Sequence, residues 1–197
     1  MPRKGDQMLY RLCLTLSFLL LFSSCATRHV GLVRWVGDLR INNNLQKVPL
    51  DAVAISCNQS VVTNPKSFAS ITFANDNGIE MGDETELKLD KDCQKITRLQ
   101  LLSGNIGFKT DPNTNGEKSM SILVEGHRFD VYRGGSGGLW FADSNNLKLL
   151  VVSGAITLNN NAEKESGITF NKNQECTLEL NTRKVQCDVW VSSVPVQ

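Results

Sequence analysis

From Val33 onward the chain alternates apolar and polar residues in short runs, each closed by Asn, Gly, Asp or Pro. Period-two alternation puts apolar side chains on one strand face and polar ones on the other. Residues 33–41 alternate loosely and stop at Asn42-Asn43-Asn44, and residues 48–57 alternate again. Residues 67–73 run into Asn75-Asp76-Asn77-Gly78, a strong turn sequence. Residues 79–81, 86–90, 96–102, 121–125, 128–132, 138–141, 147–152 and 155–158 continue the series, with a loop over 111–116. No segment after residue 25 holds a helical period for three turns. The pattern predicts an all-β domain of short strands in two packed sheets, either a jelly-roll-like sandwich or a short flattened β-solenoid.

The N-terminus breaks this pattern. Arg3, Lys4 and Arg11 precede an eleven-residue apolar run that ends in Leu21-Phe22-Ser23-Ser24-Cys25. As a helix the run rises about 16 Å, half of the roughly 30 Å a bilayer core requires. A basic start, a short apolar run and small residues are the layout of an export signal. The final five residues resemble the lipobox of bacterial lipoproteins, with Phe22 where Leu is usual. The resemblance implies cleavage before Cys25 and acylation of Cys25. Ala26, in place of an Asp, favours the outer membrane. The expected organisation is a signal over 1–24, a lipid-anchored tether over 25–32, a β domain over 33–160 and a C-terminal extension over 161–197. Multiple acyl chains make a stable anchor, at about 0.8 kcal/mol per buried CH₂.

Cleavage takes three of 21 basic and one of 20 acidic residues, leaving 173 residues with net charge −1. No Lys/Arg cluster forms a phosphate-tracking stripe, so no nucleic-acid partner is expected. With Cys13 lost and Cys25 acylated, Cys57, Cys93, Cys176 and Cys187 remain. An even number in an exported chain suggests two disulfides, with three possible pairings. Cys57–Cys93 with Cys176–Cys187 is favoured. Folding 176–191 as a hairpin about Asn181-Thr182 sets Leu180 against Arg183, Glu179 against Lys184, Leu178 against Val185 and Cys176 against Cys187.

Candidates for chemistry are few. His29 falls in the expected tether, and His127 is expected at a turn or surface. Gly135-Ser136-Gly137 lacks the spacing of a nucleophile elbow. Arg133-Gly134-Gly135-Ser136-Gly137-Gly138 has neither the Lys-Ser/Thr nor the helix of a phosphate loop. It reads as a mobile loop, and Arg133, Gly134, Gly135 and Trp140 form a candidate partner-binding segment with Trp140 as anchor. Glu80, Asp83, Glu84 and Glu86 with Asn75-Asp76-Asn77-Gly78 lack EF-hand spacing. No metal or cofactor is expected.

Leu101-Leu102-Ser103-Gly104-Asn105-Ile106-Gly107-Phe108 is echoed by Val151-Val152-Ser153-Gly154-Ala155-Ile156-Thr157-Leu158. Both read as strand, tight glycine turn, strand, and the two could be equivalent corners of a layered fold. These two segments, with Asn77-Gly78-Ile79-Glu80-Met81, Glu86-Leu87-Lys88-Leu89 and Gly126-His127-Arg128-Phe129-Asp130-Val131, follow the order of phrases in FecR-like domains. The region 33–160 therefore resembles that family, with His127 where Thr is common. The resemblance implies a non-catalytic envelope module that binds a partner in sensing or assembly. No cytoplasmic anti-sigma segment or transmembrane helix is seen ahead of the domain, so the expectation is the binding domain rather than the sigma-regulator role. Expected partners are the membrane, through the N-terminal lipid, and an envelope protein. The alternatives are a Ca²⁺- or glycan-binding β-sandwich and a small envelope hydrolase with His127 as base.

Overall fold

The computed structural model describes residues 29–46, 52–93, 96–113, 118–160 and 167–190. Cys25 and the export signal lie outside them. The described residues form strands and turns, in two sheets of nine strands. β1 (His29–Val36) opens the first sheet, and β2 (Leu39–Ile41) with β3 (Asn44–Gln46) forms a hairpin in the second. β4 (Val53–Ser56) returns to the first sheet and β5 (Ser60–Thr63) to the second. β6 (Phe68–Phe73) and β7 (Gly78–Met81) pair in the first; β8 (Glu86–Leu89) and β9 (Thr97–Ser103) pair in the second. β10 (Asn105–Lys109) crosses alone to the first. β11 (Lys118–Val124) and β12 (His127–Tyr132) follow in the second, then β13 (Ser136–Phe141) and β14 (Asn146–Ser153) in the first. β15 (Ala155–Asn160) with β16 (Ile168–Asn171) ends the second sheet; β17 (Gln174–Glu179) with β18 (Lys184–Val189) ends the first.

Beyond the first pair in each, where the order is reversed, strand order follows chain order in both sheets: β4-β1-β6-β7-β10-β13-β14-β17-β18 and β3-β2-β5-β8-β9-β11-β12-β15-β16. This is the coiling of a flattened solenoid rather than jelly-roll connectivity. One pair, β9 with β11, is parallel, because β10 crosses singly between them.

Alternation makes the core. β6 reads exposed-buried throughout, and Ile71, Ile79, Met81 and Leu139 of the first sheet face Leu87, Leu89, Met120, Ile122 and Phe129 of the second, all essentially solvent-free. Each such side chain contributes about 1.5–3 kcal/mol on burial.

The two Ser-Gly echoes are corners crossed in opposite senses. Gly104 carries the chain from β9 in the second sheet to β10 in the first, and Gly154 from β14 in the first to β15 in the second. Both hold positive φ, +81° and +68°, where side chains are disfavoured. A Cβ at Gly104 would also lie 2.6 Å from the Thr85 Cα.

Buried hydroxyls satisfy the corner amides. Thr85 N–H donates to Thr63 Oγ1 at 3.0 Å, Asn105 N–H to Thr85 Oγ1 at 3.0 Å, and Gly135 N–H to Thr110 Oγ1 at 2.9 Å. Each hydroxyl donates onward to a backbone carbonyl: Thr63 to Gly82, Thr85 to Asn105, Thr110 to Tyr132. A buried backbone group left unpaired would cost as much as a lost hydrogen bond. Threonine, half methyl and half hydroxyl, suits a corner that faces both core and backbone. At the far end of β7, fully buried Asn77 donates to Thr97 Oγ1 and the Ser119 carbonyl and accepts from Asp111 N–H. The turn 75–78 is thus a structural plug across four segments.

Two expectations change here. β1 starts at His29, not Val33, and Val30 is buried, so the strand takes up His29 to Leu32 of the expected tether. The final hairpin sets Glu179 against Lys184, Leu178 against Val185 and Cys176 against Cys187. Its turn, however, spans four residues. Leu180 leaves the ladder because its N–H donates to the Asn145 carbonyl. Cys57 is bonded to Cys93, and Cys176 to Cys187.

Candidate anion-binding site

Alternation that buries one strand face exposes the other, and on the second sheet the outward face of β8, β9, β11 and β12 carries four cations, Lys88, Arg98, Lys118 and Arg128, among polar and apolar neighbours. Register fixes two rows across these strands. Lys88 faces Gln100, Gln100 faces Leu123, and Leu123 faces Arg128. Arg98 faces Ser121, which faces Asp130. At about 4.8 Å per strand, Lys88 and Arg128 stand about 14 Å apart. Between them lies a cavity of about 460 Å³, to which Lys91 and Lys118 add charge from either side.

Five cations therefore line one trough: Lys88, Lys91, Arg98, Lys118 and Arg128. Two carboxylates oppose them, Asp90 in the lining and Asp130 paired with Lys118 and Arg128, so among the described residues the local balance is +3, in a chain whose formal net charge is +1. Asp130 is 4% exposed although it points away from the core. Its neighbours cover it. Lys118 Nζ lies 2.7 Å from Oδ1 and Arg128 Nε 3.5 Å from Oδ2. Ser121 Oγ donates to Oδ1 at 2.9 Å and Asn159 Nδ2 to Oδ2 at 2.8 Å. The carboxylate holds two of the five cations in place. Among the described residues, Lys88, Lys91 and Arg98 form no ion pair.

This cluster is not visible along the sequence, where Lys88 and Arg128 are forty residues apart. Against the expectation that no Lys/Arg cluster forms, five cations gather on the sheet. The available signal was the cation at the polar position of three separate alternating strands.

The expected partner segment is divided. Gly134 and Gly135 make a fixed corner, not a mobile loop. Gly135 N–H donates to the Tyr132 carbonyl and to Thr110 Oγ1, its carbonyl accepts from Thr110 N–H, and Ser153 Oγ donates to the Gly134 carbonyl. Arg133 is exposed beside them. Trp140 lies at the opposite end of β13, five residues and about 17 Å away, so Arg133, Gly134 and Gly135 do not share a site with it. Trp140 is half-buried on the outer face of the first sheet, beside the paired Gly107 and Gly138. The bare backbone there forms the floor of a shallow hollow of about 570 Å³, with Asp83 and Glu84 at its rim.

His127 is buried in β12, neither turn nor surface, and its Nε2 faces the Leu180 carbonyl at 3.4 Å rather than a nucleophile. His29 is exposed at the start of β1, with Nδ1 3.4 Å from Ser56 Oγ. Glu80 and Glu86 lie on different sheets, either side of the corner that holds Asp83 and Glu84. Among the described residues, no three His, Cys, Asp or Glu side chains gather to hold a metal.

Residues 59–157 match the model of the FecR protein family. They make up half of the chain. The chain belongs to the FecR family. The FecR match takes in all four strands of the cationic trough, the Trp140 hollow and both Ser-Gly corners. Two crystal structures of a proposed anti-sigma factor from Parabacteroides distasonis share the fold, each with a TM-score of 0.53, at 11% and 12% identity. The superposition covers 66% of this FecR chain and 59% of that one, less than two thirds of its length. At this identity the likeness is one of fold. No curated protein matches the chain. Among the described residues, no helix is long and apolar enough to cross a membrane.

Proposed function

We propose that this FecR protein is a lipid-anchored, non-catalytic module of the bacterial envelope that binds a protein partner in sensing or assembly. The observation that carries the reading is the FecR match over 59–157, a family of envelope-associated regulators. The name of the two structural neighbours agrees with a signalling context. The lipobox at Leu21-Phe22-Ser23-Ser24-Cys25 supports export, cleavage after residue 24 and acylation of Cys25. Ala26 after the Cys favours the outer membrane. Only three residues separate Cys25 from β1, which fully extended places the strand within about 14 Å of the acylated residue. The domain would then work against its own membrane.

The hollow beside Trp140 is the surface we assign to the protein partner. It combines an aromatic ring, a glycine floor and an acidic rim, and aromatic residues in partly desolvated hollows dominate many interfaces. Two measurements test the reading. Intact mass of the membrane-extracted protein should show cleavage before Cys25 and added acyl chains, and Cys25→Ser should remove both. In-cell crosslinking from a photoreactive residue at Trp140 should capture one envelope protein in preference to a probe at Lys172. An unmodified N-terminus would overturn the anchor, and equal capture at both positions would overturn the surface.

A further inference from the structure

The cationic trough on the second sheet is separate from the Trp140 hollow, and its chemistry points elsewhere. We propose that it binds a phosphate-bearing ligand across β8, β9, β11 and β12. The volume, about 460 Å³, falls in the range of small-molecule sites, about 300–1,000 Å³. Three cations in it, Lys88, Lys91 and Arg98, have no anionic partner among the described residues, which leaves their charge to a ligand. Lys118 and Arg128 are held in position by Asp130, a carboxylate buried beneath them. Besides accepting from Ser121 and Asn159 on the neighbouring strands, this carboxylate holds two cations that line the trough. Arg128 supplies the most specific sign. Its Nε is buried yet has no hydrogen-bond acceptor among the described residues, since the contact to Asp130 at 3.5 Å is an ion pair without hydrogen-bond geometry. Buried donors without an acceptor are uncommon in native proteins, and an anionic oxygen in the trough would supply one.

The local balance of +3 asks for more than one negative charge on a compact group. Phosphate carries such charge on several acceptor oxygens and fits both the planar fork of Arg and the point charge of Lys. No aromatic side chain lines the trough, so it offers no platform for stacked bases. The phosphate could belong to a soluble compound or to a phospholipid headgroup of the nearby membrane; both present the same group to the same cations.

Calorimetric titration of the purified protein in non-ionic detergent tests this, with four probes: inorganic pyrophosphate, short-chain phosphatidylglycerol, short-chain phosphatidylcholine and a polyglutamate peptide. Pyrophosphate or phosphatidylglycerol should bind, with affinity falling as NaCl is raised, and Lys88→Gln/Arg98→Gln should weaken binding at least tenfold. Both residues are exposed on the sheet and unpaired, so the variant should keep the wild-type melting temperature. Lys184→Gln, on β18, should leave binding unchanged. Pyrophosphate alone would identify a soluble ligand, and phosphatidylglycerol with short-chain phosphatidylcholine inactive would identify a headgroup; either supports the site. Polyglutamate binding as tightly as the phosphate probes would replace the phosphate assignment with an acidic polypeptide. No binding by any probe, or equal loss in Lys184→Gln, would overturn the proposal.

Discussion

Thr85 is a fully buried polar side chain, and replacing it with valine separates two ways of reading the core. Valine has nearly the same shape and is more apolar. On hydrophobic grounds alone Thr85→Val should be neutral or stabilising. The hydrogen bonds argue the reverse. Thr85 Oγ1 is the acceptor for Asn105 N–H at the Gly104 corner, at 3.0 Å. When the hydroxyl is lost the Asn105 carbonyl keeps Gly82 N–H, and the Asp83 carbonyl, the hydroxyl's other acceptor, belongs to an exposed residue, so the buried group orphaned is the amide. One buried donor left unsatisfied costs about 1–3 kcal/mol. Thr85→Ser keeps the hydroxyl and loses one methyl, about 0.8 kcal/mol. The expected order of stability is wild type, then Ser, then Val. A loss of about 2 kcal/mol lowers the melting temperature of a domain this size by about 4–8 °C. Urea unfolding of the oxidised protein measures it, with an unchanged m-value showing that the unfolded state is not altered. If Thr85→Val were as stable as wild type, the hydroxyl would be dispensable and the account of the corners wrong.

Other consequences follow from the same interactions. Asp130→Ala leaves Lys118 and Arg128 without their anion. Because both cations reach solvent, the stability loss should be about 1–3 kcal/mol, below the 3–5 typical of a fully buried pair; thermal melting measures it. Cys57→Ser/Cys93→Ser opens a loop with a sequence separation of 36 and should cost about 4 kcal/mol, against about 3 for Cys176→Ser/Cys187→Ser, whose separation is 11. Urea midpoints of the two variants give the order. Asp143, fully exposed, accepts from the Asn146 side-chain amide and from Asn145 and Asn146 N–H, and these bonds hold its carboxyl below the ordinary carboxylate range. The folded value is the lower one. Its contribution is therefore present above the unfolded-state value and lost as pH falls through the folded one. An NMR titration of its carboxyl carbon should show the depressed midpoint, and Asn146→Ala should move it back.

The alternation that defines the core was legible because it is local: a strand with one face buried announces itself every second residue. It failed where the ladder is irregular. His29, Val30, Gly31 and Leu32 were read as tether because a bulge between His29 and Gly31 puts Val30 and Gly31 both inside. The paired Ser-Gly corners could be seen, since a positive φ demands glycine, but not the sense in which each crosses. The last hairpin could be aligned from charge and apolar matches, except where Leu180 is drawn off by Asn145. Long-range contacts left no local trace. Gly134 and Gly135 looked mobile because their anchor, Thr110, lies some twenty-five residues away. His127 looked like a turn residue because Gly126 precedes it, whereas the Leu180 turn covers it. The trough was invisible because it exists only once four strands are in register.

In each sheet, beyond the first pair of strands, position across the strands is position along the sequence. The sandwich therefore acts as a ruler with its zero at the N-terminus. In the second sheet β8 lies two spacings from β2 and β12 five, about 10 and 24 Å. With an acyl chain at Cys25, a residue's number would then translate into its distance from the attachment point. Inserting one further hairpin into each sheet ahead of β8 would shift the trough outward by about 10 Å without redesigning it. Reach from the membrane is thus a quantity such a protein can change by adding layers, independently of what its faces bind.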